Sequence, residues 1–176
     1  MSYKFILASK EMLARIVEIY NQSIACRTVT ADLTEVTVEQ RQAWFDFHLE
    51  QVNYPIWVVV DTTTEEIVGW FTLSPFYGRI AYRTTAEISI YLDDKVKGKG
   101  LAGQIVTFVK DKMPEIGLQT LLAFVFKGNQ ASVKAFTKLG FTIWGDLPNI
   151  ANMETHLESL LIMGYQFPNN DLIEND

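Results

Sequence analysis

One stretch of the chain, Glu87–Gly103, constrains the fold most, because it predicts a strand, a loop and a helix in direct succession. Residues 87–92 alternate polar and apolar side chains of β-branched and aromatic types, which predicts a strand. Residues 93–100 combine the turn formers Asp and Gly with three lysines. From Leu101 onward the apolar side chains recur at helical spacing. The sequence therefore predicts a basic, glycine-rich loop that leads into a helix.

A loop of this kind predicts an anion site. The first N–H groups of a helix have no intrahelical partner, the helix dipole adds partial positive charge, and glycines let a phosphate come close. The spacing Gly98-x-Gly100-x-x-Gly103 matches neither a P-loop nor the tight strand-to-helix turn of a dinucleotide-binding fingerprint. On these residues alone, a solvated lysine loop before a helix stays open as the alternative.

The composition indicates one globular domain. The chain has 176 residues, of which 48% are hydrophobic and 20% charged, and this suits a single sizeable core. A net charge of −6 disfavours nucleic acid or an anionic membrane as a general partner. The single cysteine, Cys26, excludes an intrachain disulfide. No apolar run approaches the ~20 residues that span a bilayer, and the N-terminus has no signal-peptide pattern, so we expect a cytoplasmic protein.

The remaining segments predict strands and helices that are mixed along the chain. Residues 56–60 and 67–74 predict a hairpin, which argues against a purely parallel sheet. Thr37–Gln40 has the spacing of a capping box at the start of a helix. We therefore predict an α/β fold with a mixed sheet. It forms one domain over residues 1–168, followed by a loose acidic tail over residues 169–176.

Two motifs resemble those of the GCN5-related N-acetyltransferase (GNAT) superfamily. Lys95-Val-Lys-Gly-Lys-Gly-Leu-Ala102 is similar to its Arg/Gln-x-x-Gly-x-Gly/Ala loop, with Lys95 in place of the usual Gln or Arg. Asn129-Gln-Ala-Ser-Val-Lys-Ala-Phe-Thr-Lys-Leu-Gly-Phe141 resembles its second signature, Asn-x-x-Ser/Ala followed by a helix that ends in Gly-Phe. Ile19-Tyr20-Asn21 and the run Thr84–Tyr91 look like the phosphinothricin acetyltransferase-like branch. The resemblance covers nearly the whole chain.

This resemblance implies a fold, a co-substrate and the residues that bind it. The fold would be a mostly antiparallel twisted sheet flanked by helices, with a splayed central strand pair. The co-substrate would be acetyl-CoA, with no metal. For Asn129 and Ser132 the alternative is a helix cap and a first-turn serine. The implied contacts are Ile90, Tyr91 and Leu92 for pantetheine and the thioester carbonyl, Lys97, Gly98, Lys99, Gly100, Leu101 and Ala102 for pyrophosphate, and Asn129 with Ser132 for the pantetheine arm.

Glu87 is the candidate catalytic base. It is the only carboxylate on a strand that is predicted to be half-buried, and it lies in the Ala-Glu-x-Ser-x-Tyr context of the resembled branch. Burial beside apolar neighbours would raise its pKa and make it a proton acceptor near neutral pH, directly or through a water. The alternative is an exposed glutamate at the strand end that pairs with Arg79 or Arg83.

No general acid is predicted. In the wider family a tyrosine on the helix of the second motif often protonates the departing CoA thiolate, and the resembled branch often has a histidine there. This chain has Phe136 at that position, which cannot donate a proton. Because CoA thiol is a good leaving group, we expect solvent to supply the proton.

The acceptor site is expected in the loop before Glu87. The branch takes small amino acids or their analogues, so an arginine there could hold a carboxylate through two hydrogen bonds. The substrate-binding candidates are Tyr77, Arg79 and Tyr82, with a solvated loop as the alternative. Residues 151–159 depart from the branch, where basic and aromatic side chains help to shape the active site. This departure weakens the expectation of phosphinothricin or methionine sulfoximine as the substrate.

These features predict an acetyl-CoA-dependent N-acetyltransferase that works by direct attack in a ternary complex. The expected acceptor is a primary amine of a small molecule, an amino acid or an analogue similar to phosphinothricin or methionine sulfoximine. The branch is commonly dimeric, so a homodimer is expected as well. Two alternatives stay open: an acetyltransferase for a protein N-terminus or a polyamine, and a non-catalytic acetyl-CoA-binding module. Turnover separates the module from the enzymes.

Overall fold

In the computed structural model, which describes residues 2–168, seven strands form one sheet. The tail predicted over residues 169–176 lies outside the described part of the chain. The strands are β1 (Tyr3–Leu7), β2 (Ile56–Asp61), β3 (Ile67–Pro75), β4 (Thr85–Leu92), β5 (Thr120–Phe126), β6 (Thr142–Asn152) and β7 (Leu157–Gln166). They lie in the order β1-β2-β3-β4-β5-β7-β6. Only β4 and β5 run parallel, and every other neighbouring pair is antiparallel.

Helices cover both faces of this sheet. Within the described residues they are α1 (Leu13–Ile24), α2 (Val38–Glu50), α3 (Leu101–Lys112) and α4 (Gln130–Lys138). The apolar faces of α1 and α2 pack with Ile56, Val58 and Trp70 of the sheet into one core. Those of α3 and α4 pack on the opposite face, against side chains that include Ile88 and Leu121. The α/β mixed fold predicted from the sequence is confirmed.

At the starts of α2 and α3 the residue type matches its structural role, and at the start of α1 it does not. Thr37 and Gln40 form the predicted capping box, since each side chain accepts the other residue's backbone N–H, at 3.2 and 2.8 Å. Gly100 precedes α3 with φ 75°, a left-handed conformation that favours glycine. Ser9, a residue type that favours the start of a helix, caps none here and instead donates its hydroxyl to the Glu11 carboxylate. A short 3₁₀ turn separates Ser9 from α1.

The two parallel strands separate soon after they meet. They pair only from Thr85 to Glu87, opposite Thr120 to Leu122. Beyond this point the edge of β4 that faces β5 has no strand partner. The carboxyl ends of both strands lead to one side of the sheet, β4 into the loop 93–100 and α3, and β5 into α4. This is the splayed central pair that the resemblance implied.

The last two strands are longer than the sequence predicts. The apolar side chains of this part of the sequence predict two short strands, at 141–144 and 160–167, whereas β6 and β7 form one long hairpin. The pairing shifts register between Leu147 and Ala151, and Asn149 has φ 54°. This bulge interrupts the alternation of side chains, so the period of a strand is hidden in the sequence. Residues 151–159 thus form the turn of this hairpin and the strand ends beside it.

Candidate active site

Three cross-strand pairs on β3 and β4 build the floor of a pocket. They are Trp70 with Tyr91, Thr72 with Ser89, and Ser74 with Glu87. Because every second side chain of a strand points to the same face, these six side chains share one face of the sheet. Trp70 and Tyr91 pack there with α1 and α2. The floor therefore changes from aromatic at one end to polar at the other.

The pocket above this floor has a volume of about 150 Å³. This is the scale of a small ligand rather than of a peptide or a long chain. Five of the six floor residues line it, and Glu87 adjoins it, because its neighbours on the same face, Ser74 and Ser89, are both in the lining. The lining consists of Ile16, Val17, Tyr20, Arg41, Trp44, Trp70, Thr72, Ser74, Ser89 and Tyr91.

Glu87 has the surroundings of a proton acceptor. Its side chain is half-buried, and burial raises the pKa of its carboxyl, an effect that the nearby Ser89 hydroxyl partly offsets. Among residues 2–168 it forms no ion pair, so the alternative of an exposed glutamate paired with Arg79 or Arg83 does not match the structure. A carboxylate with a raised pKa is better matched to proton transfer near neutral pH than an ordinary one.

A charged and aromatic group contributes Tyr20 of α1 and Arg41 of α2 to the pocket lining, and the sequence did not predict its role. Arg41 Nη2 lies 2.8 Å from Asp32 Oδ2, and its guanidinium carbon lies 4.6 Å from the centre of the Tyr20 ring. The Tyr20 hydroxyl contacts both the Thr30 hydroxyl, at 2.8 Å, and Asp32 Oδ2, at 2.5 Å. The spacing of Arg41 and Trp44 in the sequence predicts that both lie on the same face of α2. It does not predict that this face lines a pocket.

The basic loop lies at the start of α3, as the sequence predicts. Gly98 and Gly100 both have φ 75°, and a Cβ atom on either one would meet nothing within 4 Å. No side chain caps the helix, so its first N–H groups have no side-chain cap as a partner. Lys97 is exposed and lies 2.5 Å from Asp94. The loop thus offers open space, the uncapped start of a helix and positive charge in one place.

Asn129 and Ser132 lie at the start of α4, which follows β5, the other strand of the splayed pair. Asn129 caps α4, because its Oδ1 accepts the backbone N–H of Ser132 at 3.1 Å. The helix cap, which was the alternative role for Asn129, is therefore observed. The amide N–H₂ of Asn129 and the hydroxyl of Ser132 form no hydrogen bond within the described residues. Phe136 packs against Phe141 with the ring centres 5.0 Å apart, which is a packing role without a proton.

The predicted acceptor-binding residues are not part of the pocket lining. Tyr77, Arg79 and Tyr82 are exposed in the loop between β3 and β4, and none of them lines the cavity. Tyr77 and Tyr82 instead pack with Phe76 in a surface aromatic cluster. Their part in acceptor binding stays a prediction.

Residues 2–168 contain neither a cluster of metal ligands nor a helix that could cross a membrane. No group of three or more His, Cys, Asp or Glu side chains is arranged to hold a metal ion. None of the helices in this part of the chain is both long enough and apolar enough to cross a membrane.

Comparison with known proteins gives consistent matches across the chain. The model of the acetyltransferase (GNAT) domain matches residues 8–142. The chain is 40% identical to the "Putative phosphinothricin acetyltransferase YwnH" of Bacillus subtilis, over 90% of this chain and 95% of that protein. It is 33% identical to an L-methionine sulfoximine/L-methionine sulfone acetyltransferase of Pseudomonas aeruginosa, over 78% and 79% of the two chains. A solved N-acetyltransferase from Staphylococcus aureus Mu50 superposes with a TM-score of 0.87 at 29% identity, over 95% of this chain and 99% of that one.

Proposed function

The chain belongs to the GNAT acetyltransferase family, and we propose that it transfers an acetyl group from acetyl-CoA to the primary amine of a small amino acid or an amino acid analogue. One observation carries this proposal: β4 takes part in two sites at once. One face of β4 forms the floor of the pocket beside Glu87, and its unpaired edge borders the splay. A single strand can therefore bring an amine and a thioester together.

In this proposal the splay holds acetyl-CoA. The pyrophosphate lies over the loop, against the backbone N–H groups and side chains of Lys97–Ala102. The pantetheine arm runs along the unpaired edge of β4 at Ile90, Tyr91 and Leu92, where backbone groups pair with its amides and with the thioester carbonyl. Asn129 and Ser132 contact the arm from the opposite side through the amide N–H₂ and the hydroxyl. Open space at both glycines of the loop supports this placement.

Transfer then proceeds by direct attack. The amine nitrogen bonds to the thioester carbon, and Glu87 accepts a proton from that nitrogen, directly or through one water. Backbone N–H groups on the free edge of β4 stabilise the oxyanion that develops on the carbonyl oxygen. The carbon–sulfur bond breaks, and the CoA thiolate leaves and takes its proton from solvent, because Phe136 has none to give.

Two observations support a small acceptor. The pocket volume of about 150 Å³ suits a molecule of amino acid size. The Pseudomonas aeruginosa relative carries the name of an enzyme for L-methionine sulfoximine and L-methionine sulfone, which are amino acid analogues of that size.

We extend the proposal to a homodimer, which the resemblance implied, and to the cytoplasm, which was the expectation from the sequence. β6 is an edge strand, and it exposes Ile143, Trp144 and Ile150, each at least half accessible. A long edge strand with apolar side chains is prone to pair with another chain. Sedimentation equilibrium of the full chain should give twice the monomer mass, and a monomer mass at micromolar concentration would contradict the dimer.

The test is CoA release from acetyl-CoA against a panel of amines, with acetyl-CoA binding measured in parallel by calorimetry. The panel holds the natural amino acids, L-methionine sulfoximine, L-methionine sulfone, phosphinothricin, polyamines and short peptides. We expect release with one or more amino acids or analogues and acetylation of their amine in the product. Release with polyamines or peptides alone would overturn the acceptor class. Acetyl-CoA binding without release from any amine would indicate a binding module.

A further inference from the structure

A buried histidine lies directly behind the pocket wall. His48 belongs to α2 and is only 3% exposed. Its ring meets the Trp44 ring edge to face, with the centres 5.0 Å apart, and its Nδ1 lies 3.5 Å from the Thr72 hydroxyl oxygen. Trp44 and Thr72 both line the pocket, whereas His48 does not. Because protein interiors are tightly packed, a change at His48 is transmitted to these two side chains.

One hydrogen bond fixes the His48 ring. Nδ1 lies 2.6 Å from the backbone carbonyl oxygen of Tyr54, in the segment that leads into β2. A carbonyl oxygen only accepts, so Nδ1 carries the proton and donates this bond. Burial lowers the pKa of His48, an effect that the bond to Tyr54 partly offsets, so the ring is neutral near pH 7.

The other neighbours of the His48 ring carry no charge. They are Trp44 and Phe47 of the same helix and the Thr72 hydroxyl of β3. No ion pair involves His48 anywhere in residues 2–168. A proton added to the ring would therefore place an uncompensated charge behind the pocket wall.

The bond to Tyr54 is connected with the pocket through the next residue of the chain. The Thr72 hydroxyl donates to the Pro55 carbonyl at 3.0 Å, the shorter of its two contacts with carbonyl oxygens. The Pro55 carbonyl also accepts the backbone N–H of Leu73, at 3.2 Å. His48 thus holds residue 54, and residue 55 orients a hydroxyl of the pocket floor.

We propose that His48 is a positioning residue for the acceptor, which acts through Thr72 and Trp44 without touching the ligand. The inference rests on the proposed function, because the acceptor is taken to bind in this pocket. It has two consequences. Loss of the N–H donor weakens the binding of the acceptor but not that of acetyl-CoA, and a positive charge on the ring disturbs the same wall.

The test uses two substitutions in the full-length enzyme that divide the properties of the side chain. His48→Phe keeps a ring and removes the donor, whereas His48→Asn removes the ring and keeps an N–H donor close to the position of Nδ1. The acceptor is the amino acid or analogue of the panel with the highest kcat/KM. We expect His48→Phe to raise the KM for this acceptor about fivefold, the scale of one hydrogen bond, with kcat and the KM for acetyl-CoA unchanged. In His48→Asn the KM for the acceptor should stay within about twofold of the original value.

A control separates positioning from a general loss of stability. Leu118→Ala truncates a side chain that is 2% exposed in the core on the opposite face of the sheet, and it should leave the KM for the acceptor unchanged. An unchanged KM in His48→Phe, an equal rise in His48→Phe and His48→Asn, or an equal rise in the KM for acetyl-CoA would overturn the role of His48 and leave acetyl transfer intact. No turnover of any amine in the panel by the unsubstituted enzyme would overturn the proposed function, and the inference with it.

The unsubstituted protein gives a second readout, which does not depend on how the variants fold. If the neutral ring favours acceptor binding, the bound acceptor must in turn lower the pKa of His48. The chain has two histidines, and the exposed His156 serves as an internal reference. We expect the C2–H resonance of His48 to titrate at a lower pH with CoA and the acceptor than with CoA alone, and that of His156 to titrate as before. Equal titration of His48 with and without the acceptor would contradict the inference.

Discussion

The Arg15 guanidinium on α1 lies 2.6 Å from the Asp93 carboxylate at the end of β4 (Nη2 to Oδ2), and the Asp93 side chain is only 4% exposed. Asp93 Oδ1 also accepts the backbone N–H of Lys95, at 3.0 Å. From the same helix, Gln22 accepts the backbone N–H of Asp94 at 3.0 Å. The helix that lines the pocket thus also holds the start of the basic loop. Helix α1 therefore positions both the pocket and the basic loop of the proposed site.

Asp93→Asn should therefore destabilise the fold and also weaken the contacts that hold the basic loop in place. The variant keeps the size of the side chain and removes the charge that pairs with Arg15. We expect the free energy of unfolding at pH 7 to fall by about 1.5–3 kcal/mol, the range for a hydrogen bond to a charged group. The Kd for acetyl-CoA should rise. Urea unfolding and calorimetric titration measure the two effects.

The pH dependence of this variant gives a further check. Burial alone would raise the pKa of Asp93, but the Lys95 N–H and the Arg15 and Gln22 side chains outweigh it and hold that pKa below its ordinary value. The stabilisation is present above the ordinary pKa and is lost as pH falls through the lowered one. The difference between the two proteins should therefore shrink in acid. As a control, Glu115→Gln, which breaks the exposed pair with Lys112, should cost less than about 1 kcal/mol.

Gly100→Ala should impair acetyl-CoA binding more than it impairs folding. The left-handed backbone strains the alanine by about 1–2 kcal/mol, and its Cβ would meet no protein atom within 4 Å. A phosphate over the loop would meet it. Gly117→Ala is the matched control, because Gly117 has φ 72° and the same open space but lies beyond the far end of α3. Equal acetyl-CoA affinities in the two variants would contradict the placement of the pyrophosphate.

The double substitution Lys97→Glu and Lys99→Glu should weaken acetyl-CoA binding at least tenfold, because it places two anions beside the phosphates. The loss should lessen as ionic strength rises, since salt screens exposed charges. Lys10→Glu with Lys112→Glu makes the same change in net charge away from the loop. If this control lost as much affinity, the effect would belong to the overall charge and not to the loop.

Glu87→Gln should lower kcat by at least about a hundredfold, the low end for the loss of a general base, with little change in the Kd for acetyl-CoA. Because Glu87 acts when it is deprotonated and burial raises its pKa, the rate of the unsubstituted enzyme should increase as pH rises through that value. This increase should be absent in the variant. An unchanged pH–rate profile in Glu87→Gln would remove Glu87 as the base.

Glu87→Gln should lower the rate but raise the stability of the protein at neutral pH. A carboxyl whose folded pKa is raised contributes stability below its ordinary pKa and loses it as pH rises through the raised value. We therefore expect Glu87→Gln to match the unsubstituted protein in acid and to exceed it in stability at neutral and higher pH. Thermal unfolding measured from acid to alkaline pH checks this, and a variant that is less stable at pH 7 would contradict the burial of charge at this position.

The parts of the site that local sequence specifies were predictable. The strand of Glu87, the glycine loop and the capping box of Thr37 each depend on residues a few positions apart, and each lies where the sequence predicts. The splay of β4 and β5 was predicted only from the resemblance to a known family, because it depends on how far along their length the two strands stay paired.

The pocket could not be predicted because it depends on distant contacts. Trp70 lies over Tyr91 only in one register of β3 against β4, and Arg41 reaches the site only once α2 docks on the sheet. From sequence alone these side chains fit an ordinary apolar strand and a helix surface. The bulge after Leu147 similarly hid the length of β6.

The most direct test of acetyl transfer by direct attack is the initial rate of CoA release over a matrix of acetyl-CoA and acceptor concentrations. The acceptor is the best amino acid or analogue in the panel. A ternary complex in which the amine attacks the thioester predicts intersecting lines in the double-reciprocal plot. Parallel lines would indicate an acetyl-enzyme intermediate, and no release at any concentration would contradict acetyl transfer itself.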